Sequence, residues 1–289
     1  ACVDEFVRLF AGTGGVDAYP VSVSNLWQDL TGTGIYAGKG IYDVAAFQHR
    51  LEDALPEGRV LSHDLIEGAV AGAGFLGDVT MYDACPASLS GTLRRRHRWM
   101  RGDWQLLPLF FSGKPLPGGG RLSFADRLRM AGNLLRSLRA PALLALLTAS
   151  VWTGSSGMLL AALASAYLEP LLEPFGGDTL RWRRATARLA MLPASAWCAV
   201  DATLRTLWRL FVSGRHLMDW VTAADTEGGG SCGGYETRVP FRTAALLMLP
   251  GLLRQGWTLA ALALAALFWI GPGWIRDMER TPVEPRQPL

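Results

Sequence analysis

The stretch from residue 38 to residue 105 contains three polar motifs, which read GKGIYD from Gly38, SHDLIEG from Ser62 and RRHRWMRGDWQ from Arg95. Most of the unusual polar residues lie here, whereas the sequence beyond residue 140 is apolar, rich in tryptophan and interrupted by short basic runs. This contrast predicts two parts, residues 1–120 around the motifs and residues 121–289 made of helices.

The composition favours a lipid bilayer over nucleic acid as a partner. Half of the 289 residues are hydrophobic and 18% are charged, whereas about a quarter are charged in a typical soluble protein. The net charge of +3 is too small to indicate nucleic-acid binding. The basic residues lie beside apolar runs, a pattern typical of contact with a membrane surface.

The cysteines predict neither a disulfide framework nor a metal site. They are far apart, with no CxxC pair and no metal-ligand spacing. They are Cys2, Cys85, Cys198 and Cys232. Buried or unreactive thiols are the expectation.

The first motif predicts a turn that contacts a ligand. Gly38 and Gly40 would let the main chain approach a sugar or phosphate closely, and Lys39 would supply a cation. Asp43 is the predicted N-cap of the helix that follows. An ordinary glycine turn with an exposed lysine is the alternative, and the motif lacks the pattern of a P-loop.

The second motif predicts a candidate general base. Arg59–Leu61 is a predicted strand, with His63 and Asp64 at its end and a helix from Leu65 to Ala73. Reactive groups gather at the carboxyl ends of strands in α/β sheets, and an aspartate there can accept a proton from a hydroxyl. His63 would orient this aspartate. The alternative is that Asp64 is only a helix N-cap.

The third motif predicts a basic helix from Leu89 to Leu107, after a second predicted strand over Gly77–Asp83. Helical spacing places Arg95, Arg98 and the flank of Trp99 on one face. Guanidinium groups bind diphosphate with two hydrogen bonds. The alternative is a basic helix that binds anionic lipid.

Two further residues of this motif are candidates for the same site. Trp104, like Trp99, could stack on a sugar ring. Asp103 could pair with one of the arginines.

Taken together, the three motifs resemble the glycosyltransferase domain of cyclic β-1,2-glucan synthases, within the family-2-like processive glycosyltransferases of GT-A fold. The run from Trp208 to Trp220 also resembles that family. The resemblance implies an α/β fold for residues 1–120, the C-terminal half of a GT-A catalytic domain, followed by an all-α membrane region.

The resemblance also implies an activity, the inverting transfer of glucose from UDP-glucose to a growing β-1,2-glucan acceptor. Asp64 would be the catalytic base, while Arg95, Arg98 and Trp99 would hold the diphosphate and the acceptor end. Gly38 to Asp43 would open the acceptor-side helix.

The family uses a divalent cation, Mg²⁺ or Mn²⁺, bound by an Asp-x-Asp motif. This sequence contains no Asp-x-Asp, so we expect no metal site in it. The chain is therefore expected to be part of a larger polypeptide and inactive alone. Two alternatives remain open: another processive synthase, such as a cellulose-like one, and a non-catalytic membrane scaffold.

The second part predicts interfacial and spanning helices. Residues 121–139 form a basic amphipathic helix, residues 141–172 a hairpin or one interrupted span, and residues 181–211 a long interfacial helix in which Asp201 pairs with Arg205. A Gly-rich loop is expected at 222–240, the best span at 256–275, and a linker from residue 276 onward. The positive-inside rule then places the basic segments in the cytoplasm, and the resemblance implies a multi-pass protein of the bacterial inner membrane with its catalytic part on that side.

Overall fold

The computed structural model describes residues 3–10, 23–36, 38, 40–52, 58–61, 64–76, 86–112, 122–172, 179–219 and 238–283. Helices dominate these ranges. They are α1 Glu5–Phe10, α2 Val23–Thr31, α3 Val44–Leu51, α4 Asp64–Ala71, α5 Leu89–Gln105, α6 Leu107–Ser112, α7 Phe124–Thr153, α8 Ser156–Leu172, α9 Thr179–Ala190, α10 Leu192–Trp208, α11 Arg238–Met248 and α12 Thr258–Arg280. A π-helical turn, Arg209–Ser213, continues α10, and a 3₁₀ turn, Leu249–Leu253, continues α11.

The predicted α/β fold for the first part is wrong. Within the described ranges the strands are β1 Val3–Asp4 and β2 Pro282–Val283, a two-residue antiparallel pair. The predicted strand Arg59–Leu61 is irregular main chain, and the predicted strand Gly77–Asp83 lies outside the described residues. The physical reason is that Val60 is buried among helices. The Leu61 amide donates to the Gln105 side chain, and not to a carbonyl of a neighbouring strand.

Two apolar clusters form the core of a helical bundle. The first joins α1, α5, α9, α10, α11 and α12 through buried residues that include Phe6, Leu93, Cys198, Phe241 and Ile275. The second joins α7, α8, α9, α10, α11 and α12 through buried residues that include Leu147, Val151, Leu192, Met248 and Phe268. Burial raises the pKa of the Cys198 thiol to about 12. That thiol is therefore unreactive, as predicted.

A third, smaller cluster attaches α4 to the bundle. Leu65 and Ile66 of α4 pack with Val60, with Leu106 at the α5–α6 corner and with Met130 of α7. This cluster determines where Asp64, the first residue of α4, lies relative to α5.

Helix α7 is longer than predicted. It runs unbroken for 30 residues through Pro141 and therefore merges the predicted interfacial helix with the first half of the predicted hairpin. A capping box between Ser123 and Asp126 starts α7, and Gly154, at φ 70°, ends it. Helix α8 begins two residues later, so the hairpin is formed, and Arg254 holds its turn by donating from Nη1 to the Thr153 carbonyl at 2.7 Å.

The predicted long helix over 181–211 is divided. A turn at Met191 separates α9 from α10, and Pro193 lies in the first turn of α10. Proline has no amide hydrogen to donate, so it suits this position and not a helix interior.

The predicted linker from Arg276 is wrong in its first part. Helix α12 continues to Arg280, with Met278 buried in the first cluster. Beyond it, β2 pairs with β1, and the Glu5 amide donates to the Thr281 carbonyl at 2.9 Å.

Two helices, α7 and α12, are long and apolar enough to cross a membrane by length and composition. Buried core helices of soluble proteins meet the same criterion. Large apolar side chains nevertheless lie exposed on both helices, including Leu135 at 68%, Leu259 at 82% and Ile270 at 63%.

Candidate functional site

Asp64 lies in the first turn of α4, with its carboxylate against Gly38. A Cβ atom built on Gly38 would lie 2.9 Å from Asp64 Oδ1, and Gly38 has a φ of +79°. Both the backbone conformation and the contact therefore favour glycine at this position. The group that lies against Gly38 is the carboxylate of the candidate base itself, and contact of this turn with a sugar or phosphate stays a prediction.

Tyr36 completes this corner and was missed by the sequence reasoning. A Cβ on Gly40 would lie 3.3 Å from its ring, and a Cβ on Gly68 would lie 2.7 Å from its own Cβ. Burial, followed by the negative charges of Glu67, Tyr42 and Asp64, raises the pKa of Tyr36. Its phenol therefore stays protonated at neutral pH. The tyrosine two residues before a Gly-x-Gly turn was the available signal.

Arg95 and Trp99 interact on one face of α5. The Arg95 guanidinium carbon lies 4.5 Å from the centre of the Trp99 ring, a cation–π contact. Arg98 is partly exposed on the same helix. One face of the Trp99 ring is thus already covered by an arginine of its own chain.

Asp103 and Trp104 tie α5 to α7. Asn133 Nδ2 donates to Asp103 Oδ1 at 3.0 Å, and Trp104 Nε1 donates to Ser137 Oγ at 3.0 Å. Burial raises the pKa of Asp103 to about 6, although the Asn133 hydrogen bond and the charge of Arg136 lower it. The arginine whose charge acts on Asp103 therefore belongs to α7 and not to its own motif.

Asp201 joins α10 to α5. Its carboxylate pairs with Arg205 as predicted, through Nη2 at 2.7 Å and Nε at 3.1 Å. It also lies 2.9 Å from His97 Nε2, a contact that the sequence did not predict. One turn before His97 on α5, the Leu93 carbonyl contacts the Cys198 thiol, which lies one turn before Asp201 on α10. The two contacts advance in the same direction along both helices, so α5 and α10 run in parallel.

Arg101 and Gln105 are two further polar residues that the sequence reasoning left unassigned. Both are buried, at 5% exposure. Their side chains reach the main chain of residues 216–219, inside the Trp208–Trp220 run that resembles the glucan synthases. The third motif and that later run therefore meet in space.

The predicted site residues fall into two groups. Asp64, Gly38 and Gly40 lie together at the start of α4, while Arg95, Arg98 and Trp99 lie along α5. Gln105, at the end of α5, bonds to Leu61, and Trp99 lies six residues earlier, about 9 Å along the helix axis. Asp43 caps α3, as predicted, by accepting from the Ala46 amide at 2.8 Å. Lys39 and His63 lie outside the described residues.

A shallow groove lies on the outer side of α10 and the π-helical turn. Its lining is mostly apolar, with the ion pair at one end. The lining residues are Asp201, Leu204, Arg205, Leu207, Trp208, Phe211 and Val212. None of them belongs to the predicted site. Within the described ranges, no group of three or more His, Cys, Asp or Glu residues could hold a metal ion.

These observations define a helical protein that carries an arginine-rich motif and two helices with the length and composition of membrane spans. No protein-family model matches the chain. It is similar to the cyclic beta-(1,2)-glucan synthase NdvB of Rhizobium meliloti (strain 1021), with 34% identity over 295 residues that cover 92% of the chain and 10% of that protein. The chain thus spans about a tenth of the length of the curated relative it matches. The predicted relationship to a glucan synthase is confirmed at this level.

Proposed function

We propose that the chain is part of a membrane-bound inverting glucosyltransferase that transfers glucose from UDP-glucose to a growing β-1,2-glucan. The similarity to a cyclic β-1,2-glucan synthase over 92% of the chain carries the proposal. The placement of Asp64 beside Gly38 supports it, because a carboxylate at the start of a helix and against a glycine turn is accessible to a small hydroxyl.

In this reaction Asp64 is the general base. It accepts the proton of the acceptor 2-hydroxyl while that oxygen forms a bond to the anomeric carbon of the donor. The bond from the anomeric carbon to the diphosphate breaks, UDP leaves with the electron pair, and the configuration inverts.

The diphosphate is held by Arg95 and Arg98. The Arg95 guanidinium carbon lies 4.5 Å from the centre of the Trp99 ring, and the N–H groups that bind phosphate oxygens lie in the plane of a guanidinium group. The contact with Trp99 orients Arg95 on this face of α5. Trp99 and the acceptor end of the glucan lie on the same side of α5 in this proposal.

A divalent cation, Mg²⁺ or Mn²⁺, is expected to stabilise the charge that develops on the leaving diphosphate. We propose that its ligands come from other parts of a larger polypeptide. The residues described here would contribute arginines to the same charge.

In this proposal α7 and α12 span the bacterial inner membrane, and the shorter apolar helix α8 crosses back after the turn that follows α7. The exposed apolar side chains of these helices face lipid in this arrangement. The basic first half of α7 and the arginines of α9 lie on the cytoplasmic side, together with the motifs.

The substitution Asp64→Asn tests the base. In the protein at its natural length, in membrane vesicles, we expect the variant to lower glucan synthesis from labelled UDP-glucose by about a thousandfold, since general-base catalysis contributes about 10²–10⁴-fold. Glu52→Gln, a carboxylate at the exposed end of α3, is the control. Wild-type synthesis by Asp64→Asn would show that another group is the base, and β-1,4 linkages in the product would identify a cellulose-like synthase.

A non-catalytic scaffold is the second candidate, and one observation favours it. His97, Arg101, Asp103, Trp104 and Gln105 all contact other segments of the chain, so much of the third motif serves packing. The double variant Arg95→Ala with Arg98→Ala separates the two candidates. If the chain belongs to the enzyme, the variant protein reaches the membrane at the wild-type level and loses glucan synthesis. If the chain is a scaffold, the variant keeps glucan synthesis.

A further inference from the structure

Gln105 is a buried bridge between two segments that are far apart in sequence. Its Oε1 accepts from the Leu61 amide at 2.7 Å, and its Nε2 donates to the Leu217 carbonyl at 2.8 Å. The amide side chain offers an acceptor oxygen and a donor nitrogen, so Gln105 makes both bonds without carrying a charge. Each bond satisfies a main-chain group that no helix or strand pairs at that position.

Arg101 lies one turn earlier on α5 and holds the same far segment. Its Nη2 donates to the Leu217 carbonyl at 3.0 Å and to the His216 carbonyl at 3.4 Å, and its Nη1 donates to the Asp219 carbonyl at 2.5 Å. The Leu217 carbonyl therefore accepts from both α5 side chains, and residues 216–219 are fixed to the last turn of α5.

On its other side Gln105 fixes the chain that enters α4. Leu61 lies three residues before Asp64, and its neighbour Val60 is buried with Leu65 and Ile66 in the third apolar cluster. Main chain anchored on both sides of Asp64 leaves its carboxylate little freedom of position. The contact with Gly38 then sets the direction of that carboxylate.

We propose that Gln105 is a positioning residue for sugar transfer. It holds Leu61, and through Leu61 the candidate base Asp64, at a fixed place relative to α5, which carries Arg95 and Arg98. Arg101 braces the bridge from the side of residues 216–219. The inference rests on the role proposed above for Asp64, because it concerns the distance between this base and the two arginines that hold the diphosphate.

Two substitutions break the bridge in different ways. Gln105→Leu removes both bonds at similar volume, and Gln105→Glu places an acceptor against the Leu217 carbonyl. In the natural-length protein in membrane vesicles, we expect Gln105→Leu to lower kcat about 10- to 100-fold, since a displacement of about 1 Å costs about that much. The KM for UDP-glucose should stay within about threefold, and Gln105→Glu should lower kcat about 3- to 10-fold.

Hydrogen exchange of the peptide that contains Leu61 gives a readout separate from activity. We expect Gln105→Leu, which removes the acceptor of the Leu61 amide, to speed exchange of this amide at least about fivefold. The control is Thr206→Val, which removes another buried bond, from Thr206 Oγ1 to the Ala202 carbonyl. That variant should leave both kcat and the Leu61 exchange at wild-type values.

Wild-type kcat in either Gln105 variant, or wild-type exchange at Leu61 in Gln105→Leu, would overturn the proposal. If Gln105→Leu does not reach the membrane, the kcat of Gln105→Glu decides. Should Asp64→Asn keep full synthesis while Gln105→Leu lowers kcat and speeds exchange, the base assignment fails and the bridge stands.

Discussion

The two regions of the molecule are held together by different forces. In the bundle, formed by α1, α5 and α7 to α12, helices pack through apolar and small residues, as where a Cβ on Gly251 would lie 2.4 Å from Val151 Cγ1. In the motif region, residues 23–76, helices are short and α3 buries no side chain. There, single polar bonds connect segments, such as the Gln28 side chain with the Phe75 amide at 2.5 Å.

The difference predicts opposite sensitivities. Apolar packing depends on volume, so the bundle tolerates changes of chemistry at constant shape and not changes of size. A region held by individual hydrogen bonds depends on particular donors and acceptors, because each lost partner leaves a buried group unsatisfied. Of the candidate site residues, Gly38, Gly40 and Asp64 lie where the second kind of contact dominates.

The largest expected effect is in the bundle. Phe268 is fully buried in the second cluster, so Phe268→Ala should lower the free energy of unfolding by about 3–5 kcal/mol. The neighbouring Ile270 is 63% exposed, and Ile270→Ala should cost less than about 1 kcal/mol. Thermal unfolding in one detergent measures both, and equal losses would remove the distinction between buried and outward faces of α12.

A smaller effect is expected at the contact between α5 and α7. Burial raises the pKa of Asp103 from 3.8 to about 6, so the folded state binds its proton more tightly than the unfolded state. This contribution to stability is fully present below about pH 3.8 and is lost as the pH rises through about 6, a difference of about 3 kcal/mol at most.

Asp103→Asn should flatten the pH dependence of unfolding between about pH 4 and pH 6, because an amide does not titrate in that window. Urea unfolding at several pH values measures the change. Asp277→Asn on α12 is the control, and an unchanged pH profile for Asp103→Asn would show that another group titrates there.

The smallest expected effect concerns the motif region and uses two glycines of matched conformation. Gly38 and Gly72 have φ values of +79° and +80°, but a Cβ on Gly38 would meet the Asp64 carboxylate, whereas a Cβ on Gly72 would meet nothing within 4 Å. Alanine at either position should cost about 1 kcal/mol of stability. Only Gly38→Ala should also lower glucan synthesis, by about tenfold, since it displaces the candidate base. Equal glucan synthesis by the two variants would show that the contact with Gly38 does not set the position of Asp64.

Local signals in the sequence predicted several features correctly. The Asp43 cap, the basic helix over α5, the turn after Thr153 and the Asp201–Arg205 pair all depend on residues within about four positions of each other. Such contacts are encoded by spacing along one helix. The strand predicted at Arg59–Leu61 failed because a three-residue apolar run fits a strand and a buried irregular segment equally well.

The sequence by itself determined the helical character of the second part, the Asp43 cap, the apolar stretch of α12 and the relationship to a glucan synthase. Only the tertiary structure decided that His97 meets Asp201, that Gly38 packs on Asp64 and that Gln105 joins Leu61 to Leu217. The physical reason is separation along the chain. In each of these pairs the partners are more than 25 residues apart, and the packing of several helices brings them together. No local pattern specifies which polar group will face which.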